Sequence, residues 1–224
     1  MIKKINYKND VYIDVKQHIL NGRYPPGHKL NERALGDSYG LSRTPVREAL
    51  NLLEQEGWIN IIPHKGAFVS KIDDTFIKEI IDIRVILEPA IIDLLYNKIN
   101  SSRIKELDTI LRLTCKVDPK DGDDFIKLDR LFHLKLVEWT DNQNLIELFK
   151  SLNDKIYLIG RIALSSEDYT RSISTLKEHT DIVTALKAKN FSLAKSFMTT
   201  HMLETRRRIY QYLLSKKDGE PFLK

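Results

Sequence analysis

The chain has a single cysteine, Cys115, among its 224 residues. No internal disulfide can staple the fold, and a reducing compartment suits such a protein. Long hydrophobic runs are missing too. None approaches the roughly 18 apolar residues that a spanning helix needs, and the start, dotted with Lys3, Lys4 and Lys8, lacks the apolar core of a signal peptide. A soluble, cytoplasmic protein with no membrane partner is expected. There is no internal repeat and no low-complexity segment, which leaves one large domain or two small ones. Neither sign of charge dominates, since 36 Lys and Arg against 31 Asp and Glu leave a net +5. That balance permits a polyanion partner without requiring one. The excess is uneven: residues 1–70 hold ten Lys and Arg against seven Asp and Glu, more than half of it.

Within that basic third lies Ser42-Arg43-Thr44-Pro45-Val46-Arg47-Glu48-Ala49-Leu50. Ser42 is a good N-cap, its hydroxyl suited to one of the orphan amides of a first turn. Pro45 is tolerated only in that first turn. Val46, Ala49, Leu50 and Leu53 then recur at helical spacing as one apolar face. Arg43 and Arg47, four residues apart, stand one above the other on another face, with Thr44 beside them. Such a helix suits insertion into a DNA major groove. The same spacing also fits a surface helix with two solvated arginines.

The flanking residues decide between these. An opening helix carries Val11, Tyr12, Val15, Ile19 and Leu20, and Tyr24-Pro25-Pro26-Gly27 breaks it. His28-Lys29-Leu30 reads as a short strand, and Asn31 caps a second helix that carries Leu35. After Gly57, Trp58–Ile62 reads as a strand, Pro63-His64-Lys65-Gly66 as a turn, and Ala67-Phe68-Val69 as a returning strand. Helix, strand, two helices joined by a tight turn and then a hairpin make a winged helix-turn-helix.

Residues 11–70 resemble the DNA-binding domain of the GntR family of bacterial transcription regulators. The resemblance is carried by Pro26-Gly27, Leu30, Glu32, Leu35, Leu41 through Leu50, Leu53, Gly57 and Lys65 through Val69. It implies that Arg33, Arg43, Thr44 and Arg47 contact the operator, and that His64, Lys65 and Gly66 at the wing tip approach the neighbouring minor groove or backbone. Gly36 departs from the alanine usual in that family. It is expected to lower helix propensity by roughly 1 kcal/mol and to do nothing else.

Beyond a polar joint the strand signals stop. From Phe76 onward the apolar spacing predicts six helices, among them stripes through Leu145, Leu148, Phe149, Leu152 and Ile156 and through Ile173, Leu176 and Val183, with a kink at Pro89. The expected fold is therefore mainly α: a winged helix-turn-helix over 1–70, a linker over 71–75, an all-α six-helix bundle over 76–214 and a tail over 215–224. That bundle contains three histidines, His133, His179 and His201. Asp129 precedes His133 by four residues on one helix. His179 and His201 lie eleven residues either side of Asn190, where their helices break. In an antiparallel hairpin they sit level, roughly 16 Å from the turn at 1.5 Å per residue. Each imidazole alone fits a hydrogen-bonded core residue. Three of them with a carboxylate form a plausible divalent-metal site. Glu178, next to His179, is expected to face away, since consecutive helical residues point about 100° apart.

Residues 76–212 resemble the FCD effector-binding domain of the FadR subfamily, on the strength of Arg84 through Pro89, Asp129-x-x-x-His133, Glu178-His179 and His201-Met202. The resemblance implies that Asp129, His133, His179 and His201 hold one divalent ion per chain, zinc, nickel or manganese. Six helices point to the smaller, VanR-like group, and the intact ligand set argues against the fatty acyl effectors of other members. Four protein ligands leave open positions for the carboxylate of a small organic acid. Arg84 and Arg161 are candidate clamps on that anion, although a salt bridge or a solvated head group explains either one equally well. A homodimer would read a palindromic operator whose half-sites lie about one helical turn apart. Two other functions compete. A metal-dependent hydrolase would need a general base beside the metal, and no His-Glu-x-x-His occurs. An architectural DNA binder would carry a purely structural metal.

Overall fold

The computed structural model describes residues 7–118, 121–164 and 170–215, and across them it has nine helices and three short strands. The expected tail therefore lies, beyond Ser215, outside the described residues, as do loop positions 119 and 120. The chain forms two compact units that meet in sequence between Asp73 and Asp74. No described helix is long and apolar enough to cross a membrane.

The first unit runs α1 (Tyr7–Leu20), β1 (Lys29–Leu30), α2 (Glu32–Tyr39), α3 (Arg43–Gln55), β2 (Ile59–Ile62) and β3 (Gly66–Val69). Asn31 caps α2 as expected, its side chain accepting from the amides of Arg33 and Ala34. Ser42 stands at the N-cap of α3 with extended backbone, but its hydroxyl makes no capping hydrogen bond. The sharp start of α3 rests instead on the left-handed Gly40 before it and on Pro45 within its first turn. The three strands order β1-β3-β2, all antiparallel, with Ile59 opposite Val69 and Ile62 opposite Gly66. Val11, Val15 and Ile19 of α1 pack with Val46, Ala49, Leu50 and Leu53 of α3 over Ile59 and Val69, which gives this unit a core of its own. Glu56 ties the far end together, accepting from Tyr12 at 2.6 Å and from Lys16 and Trp58 Nε1 at 2.9 Å each.

Gly36 does more than its expected role allowed. A Cβ there would stand 2.9 Å from the carbonyl oxygen of Leu41, whose amide donates to the Gly36 carbonyl at 2.9 Å. Its missing side chain is what lets the α2–α3 turn fold back onto α2.

The second unit is wholly helical in its described residues: α4 (Asp74–Leu94), α5 (Ser101–Thr114), α6 (Gly122–Glu138), α7 (Gln143–Leu164), α8 (Thr170–Lys187) and α9 (Phe191–Ser215). α4 packs on α9, α8 on α9 and α6 on α7, while α5 rests on α6 and α8. Pro89 lies inside α4, which runs on to Leu94. Two expected stripes are shifted. Leu148 and Ile173 face outward, while Ile146 and Thr175 take the buried positions. On α4, Arg84 and Glu88 are buried among the apolar residues.

Candidate DNA-binding face and metal centre

In the first unit the apolar side of α3 is spent on the core, so its opposite side is free. Arg43, Thr44 and Arg47 are exposed there, and Arg33 is exposed on α2. Arg47 Nε lies 3.0 Å from Glu32 Oε2, and Arg33 Nε lies 4.0 Å from Asp37. Both are surface pairs of little energetic weight. At the tip of the β2–β3 hairpin His64 and Lys65 are exposed, and positive φ at His64 (62°) and Gly66 (108°) closes the turn. All seven residues expected to meet DNA lie on the surface or at the turn, and the arginines extend from the amino-terminal turns of their helices.

In the second unit the four expected ligands converge. Asp129, His133, His179 and His201 each offer a donor atom, all within 4.8 Å of one another. Nε2 of His201 lies 3.3 Å from Nε2 of both His179 and His133. Oδ1 of Asp129 lies 3.6 Å from His179 Nε2 and 3.9 Å from His133 Nε2. Each histidine is at most 3% exposed, and His179 stacks on Phe132 with ring centroids 4.0 Å apart.

The outer nitrogens carry the decisive detail. Nδ1 of His201 sits 2.6 Å from Oε2 of Glu178, and Nδ1 of His133 contacts Oε2 of Glu88. At His201 the carboxylate acceptor fixes a proton on the outer nitrogen, and at His133 the carboxylate charge against Nδ1 favours the same tautomer, which leaves each Nε2 as a lone pair turned inward. Two inward lone pairs 3.3 Å apart repel unless a cation stands between them. Nitrogens bound to one ion at about 2.0–2.1 Å are themselves about 2.8–3.4 Å apart, from right-angled to tetrahedral. The spacing, the tautomers and the mixed nitrogen and oxygen donors all fit a divalent transition metal.

Titration agrees. Burial holds the His179 imidazole well below its ordinary value, and the neighbouring His201 and His133 push it the same way. Burial also lowers His201, although Glu178 opposes it. These rings are therefore neutral near pH 7, the form that binds metal. Burial alone would raise the Glu88 carboxyl, but Arg84 and His133 outweigh it and hold it at about 2. Glu178 likewise stays ionised against its burial through His201 and Arg208, the latter donating at 2.8 Å.

Glu88 and Glu178 were not expected at the site. Glu178 does turn from His179, but it turns to the outer nitrogen of His201 on the next helix, a contact that sequence spacing cannot reveal. Arg84 is buried with Nε 2.5 Å from Glu88 Oε1, so its charge is already paired. It also lines a cavity of about 510 Å³, mouth included, that reaches Asp129 and His201. Arg161 is not among the residues lining that cavity, and its charge acts on Asp123 and Tyr157.

Comparison with known proteins bears on both units. The description "Bacterial regulatory proteins, gntR family" matches residues 7–69, and "FCD domain" matches residues 79–204. The chain belongs to the GntR family of bacterial regulatory proteins. It is 31% identical over 201 residues to the HTH-type transcriptional regulator YdhC of Bacillus subtilis, covering 89% of each chain. It is 27% identical over 212 residues to the HTH-type transcriptional repressor RspR of Escherichia coli, covering 93% of this chain and 91% of that one. The solved structure of E. coli McbR/YncC superposes with a TM-score of 0.74 over 92% of this chain and 97% of that one, at 23% identity, a likeness of fold. As a GntR regulator with an FCD domain, the protein is a DNA-binding transcription regulator and not an enzyme.

Proposed function

We propose that this regulator binds a palindromic operator as a homodimer in the cytoplasm, and that a small carboxylate held at a divalent metal in the second unit controls that binding. Repression is the direction we assign, by analogy with the relative named a repressor. The observation that carries the metal is the convergence of three imidazole Nε2 atoms and Asp129, with Glu88 and Glu178 fixing the outer nitrogens. A divalent ion bound there would offer an open coordination position to a carboxylate. The chain's residues do the rest. His133, His179, His201 and Asp129 supply the donors, and Glu88 and Glu178 orient two of the rings. Arg33, Arg43, Thr44 and Arg47 are assigned to the operator, Arg47 with a planar fork that matches guanine, and His64, Lys65 and Gly66 to the adjacent groove or backbone.

One preparation tests both halves. Protein purified without a chelating tag is assayed for metal and for operator binding, alongside Arg47→Ala and His179→Ala. Arg47→Ala is expected to cost about 1–3 kcal/mol on the operator with metal content unchanged. His179→Ala is expected to lose most of the metal and still bind DNA. Wild-type protein that takes up no metal on titration would refute the metal, and an Arg47→Ala protein with parental affinity would refute the recognition helix.

A further inference from the structure

Five helices line the cavity beside the imidazoles; α7 adds only Ile156, Ile159 and Gly160, and on the other four the helix face that carries the imidazoles and their carboxylates turns less polar with distance from them. On α9 the residues His201, Thr205 and Ile209 follow one another at four-residue intervals. Such intervals lie on one helix face, so polarity falls from imidazole through hydroxyl to hydrocarbon over eight residues, about 12 Å. On α6 the same four-residue step away from His133 passes Asp129 and arrives at Phe125, and on α4 four residues from Glu88 lead to Arg84 and three more to Ile81. On α8 it passes from His179 to Thr175. The cavity thus has a polar end at the imidazoles, a belt of hydroxyls and an apolar end.

Charge narrows the ligand further. Arg84, the cation that lines the cavity, is already paired with Glu88, and Glu178 is paired with Arg208. Asp129 and one divalent ion would leave a single positive charge, which one carboxylate neutralises. A second or third carboxylate would be buried without a partner, at a heavy cost in a low-dielectric site. Both hydroxyls of the belt, Thr175 and Thr205, are more than nine-tenths buried and line the cavity.

We propose that the effector is a short monocarboxylate with a compact apolar body, its head at the imidazole end and its hydrocarbon toward Ile81, Phe125 and Ile209, in place of a hydroxy acid, a sugar acid or a polycarboxylate. The inference rests on the metal-held carboxylate of the preceding section. Isobutyrate and lactate test it well, because they differ by a methyl in place of a hydroxyl. Calorimetric titration of zinc-loaded full-length protein should show affinity rising about fourfold per added carbon, from acetate through propionate to isobutyrate. Isobutyrate should exceed lactate and malonate by at least tenfold. Lactate, malonate or gluconate binding more tightly than isobutyrate would overturn the apolar-body inference and leave the metal reading intact. Isobutyrate binding equally well to chelator-stripped protein would overturn the metal-held head group instead. No binding by any acid of the series would overturn both.

Discussion

Single residues here do work that their neighbours in sequence conceal. Glu178 is the clearest case, since its two oxygens join the outer nitrogen of His201 to Arg208. A carboxylate in that position fixes ring orientation and raises ligand basicity, and losing such a partner weakens metal binding by about 10–100-fold. Glu178→Ala should therefore keep its helix content while its zinc affinity, measured by competition with a chromogenic chelator, falls in that range. Unchanged affinity would mean that packing against the rings of His133 and His179 alone orients His201. Gly36 poses the opposite problem. The family resemblance makes alanine the expected residue, and alanine gains roughly 1 kcal/mol of helix propensity. The Leu41 carbonyl oxygen stands 2.9 Å from where its Cβ would go, and backbone cannot move as a side-chain tip can. Overpacking costs about 1–3 kcal/mol, so Gly36→Ala is expected to lower the stability of the winged unit in denaturant titrations. A stabilised variant would show that the turn relaxes freely.

At the scale of elements, the Glu56 knot closes the winged unit by joining α1 to the end of α3 and the start of β2. Burial would raise the Glu56 carboxyl, yet Tyr12, Lys16 and Trp58 together bring it below its ordinary value of 4.5. A carboxyl lowered by folding contributes stability that is present above its unfolded value and disappears as pH falls through the folded one. The winged unit should thus lose this contribution below about pH 4.5. Glu56→Gln should flatten that part of the profile and cost about 1 kcal/mol at neutral pH. An acid limb identical in the variant would assign the effect to other carboxylates. The elements themselves were largely legible in the sequence, because period and punctuation are local: Asn31 as a cap, the hairpin between Ile59 and Val69, the six helices after Asp74. The level placement of His179 and His201 was legible too, since counting from a helix break needs no tertiary information. What was hidden depends on contacts between helices. Leu148 and Ile173 are exposed although they are apolar, and Thr175, Arg84 and Glu88 are buried although they are polar, because burial follows the neighbouring helix and the needs of the imidazoles. The partners of those imidazoles come from α4 and α8, and no spacing rule could pair Glu88 with His133 across 45 residues of chain.

For the whole molecule the question is whether the two units act as one. Each has its own core, so stripping metal should lower the melting temperature of the helical unit and leave a folded winged unit. Regulation requires more than coexistence. An acid that weakens operator binding by some factor must itself bind the operator complex more weakly by that same factor, because the two affinities close one thermodynamic cycle. Coupling free energies of about 1–3 kcal/mol are usual, or about 5–150-fold. Isobutyrate affinity should therefore be measured with and without saturating operator, and operator affinity with and without saturating isobutyrate. Equal factors in the two directions are the expected outcome. Arg47→Ala should weaken the operator arm and leave acid binding to the free protein unchanged, since it acts at the other end of the cycle. A metal-dependent acid that shifts neither affinity would identify the imidazole cluster as a stabilising centre and place the control of transcription elsewhere.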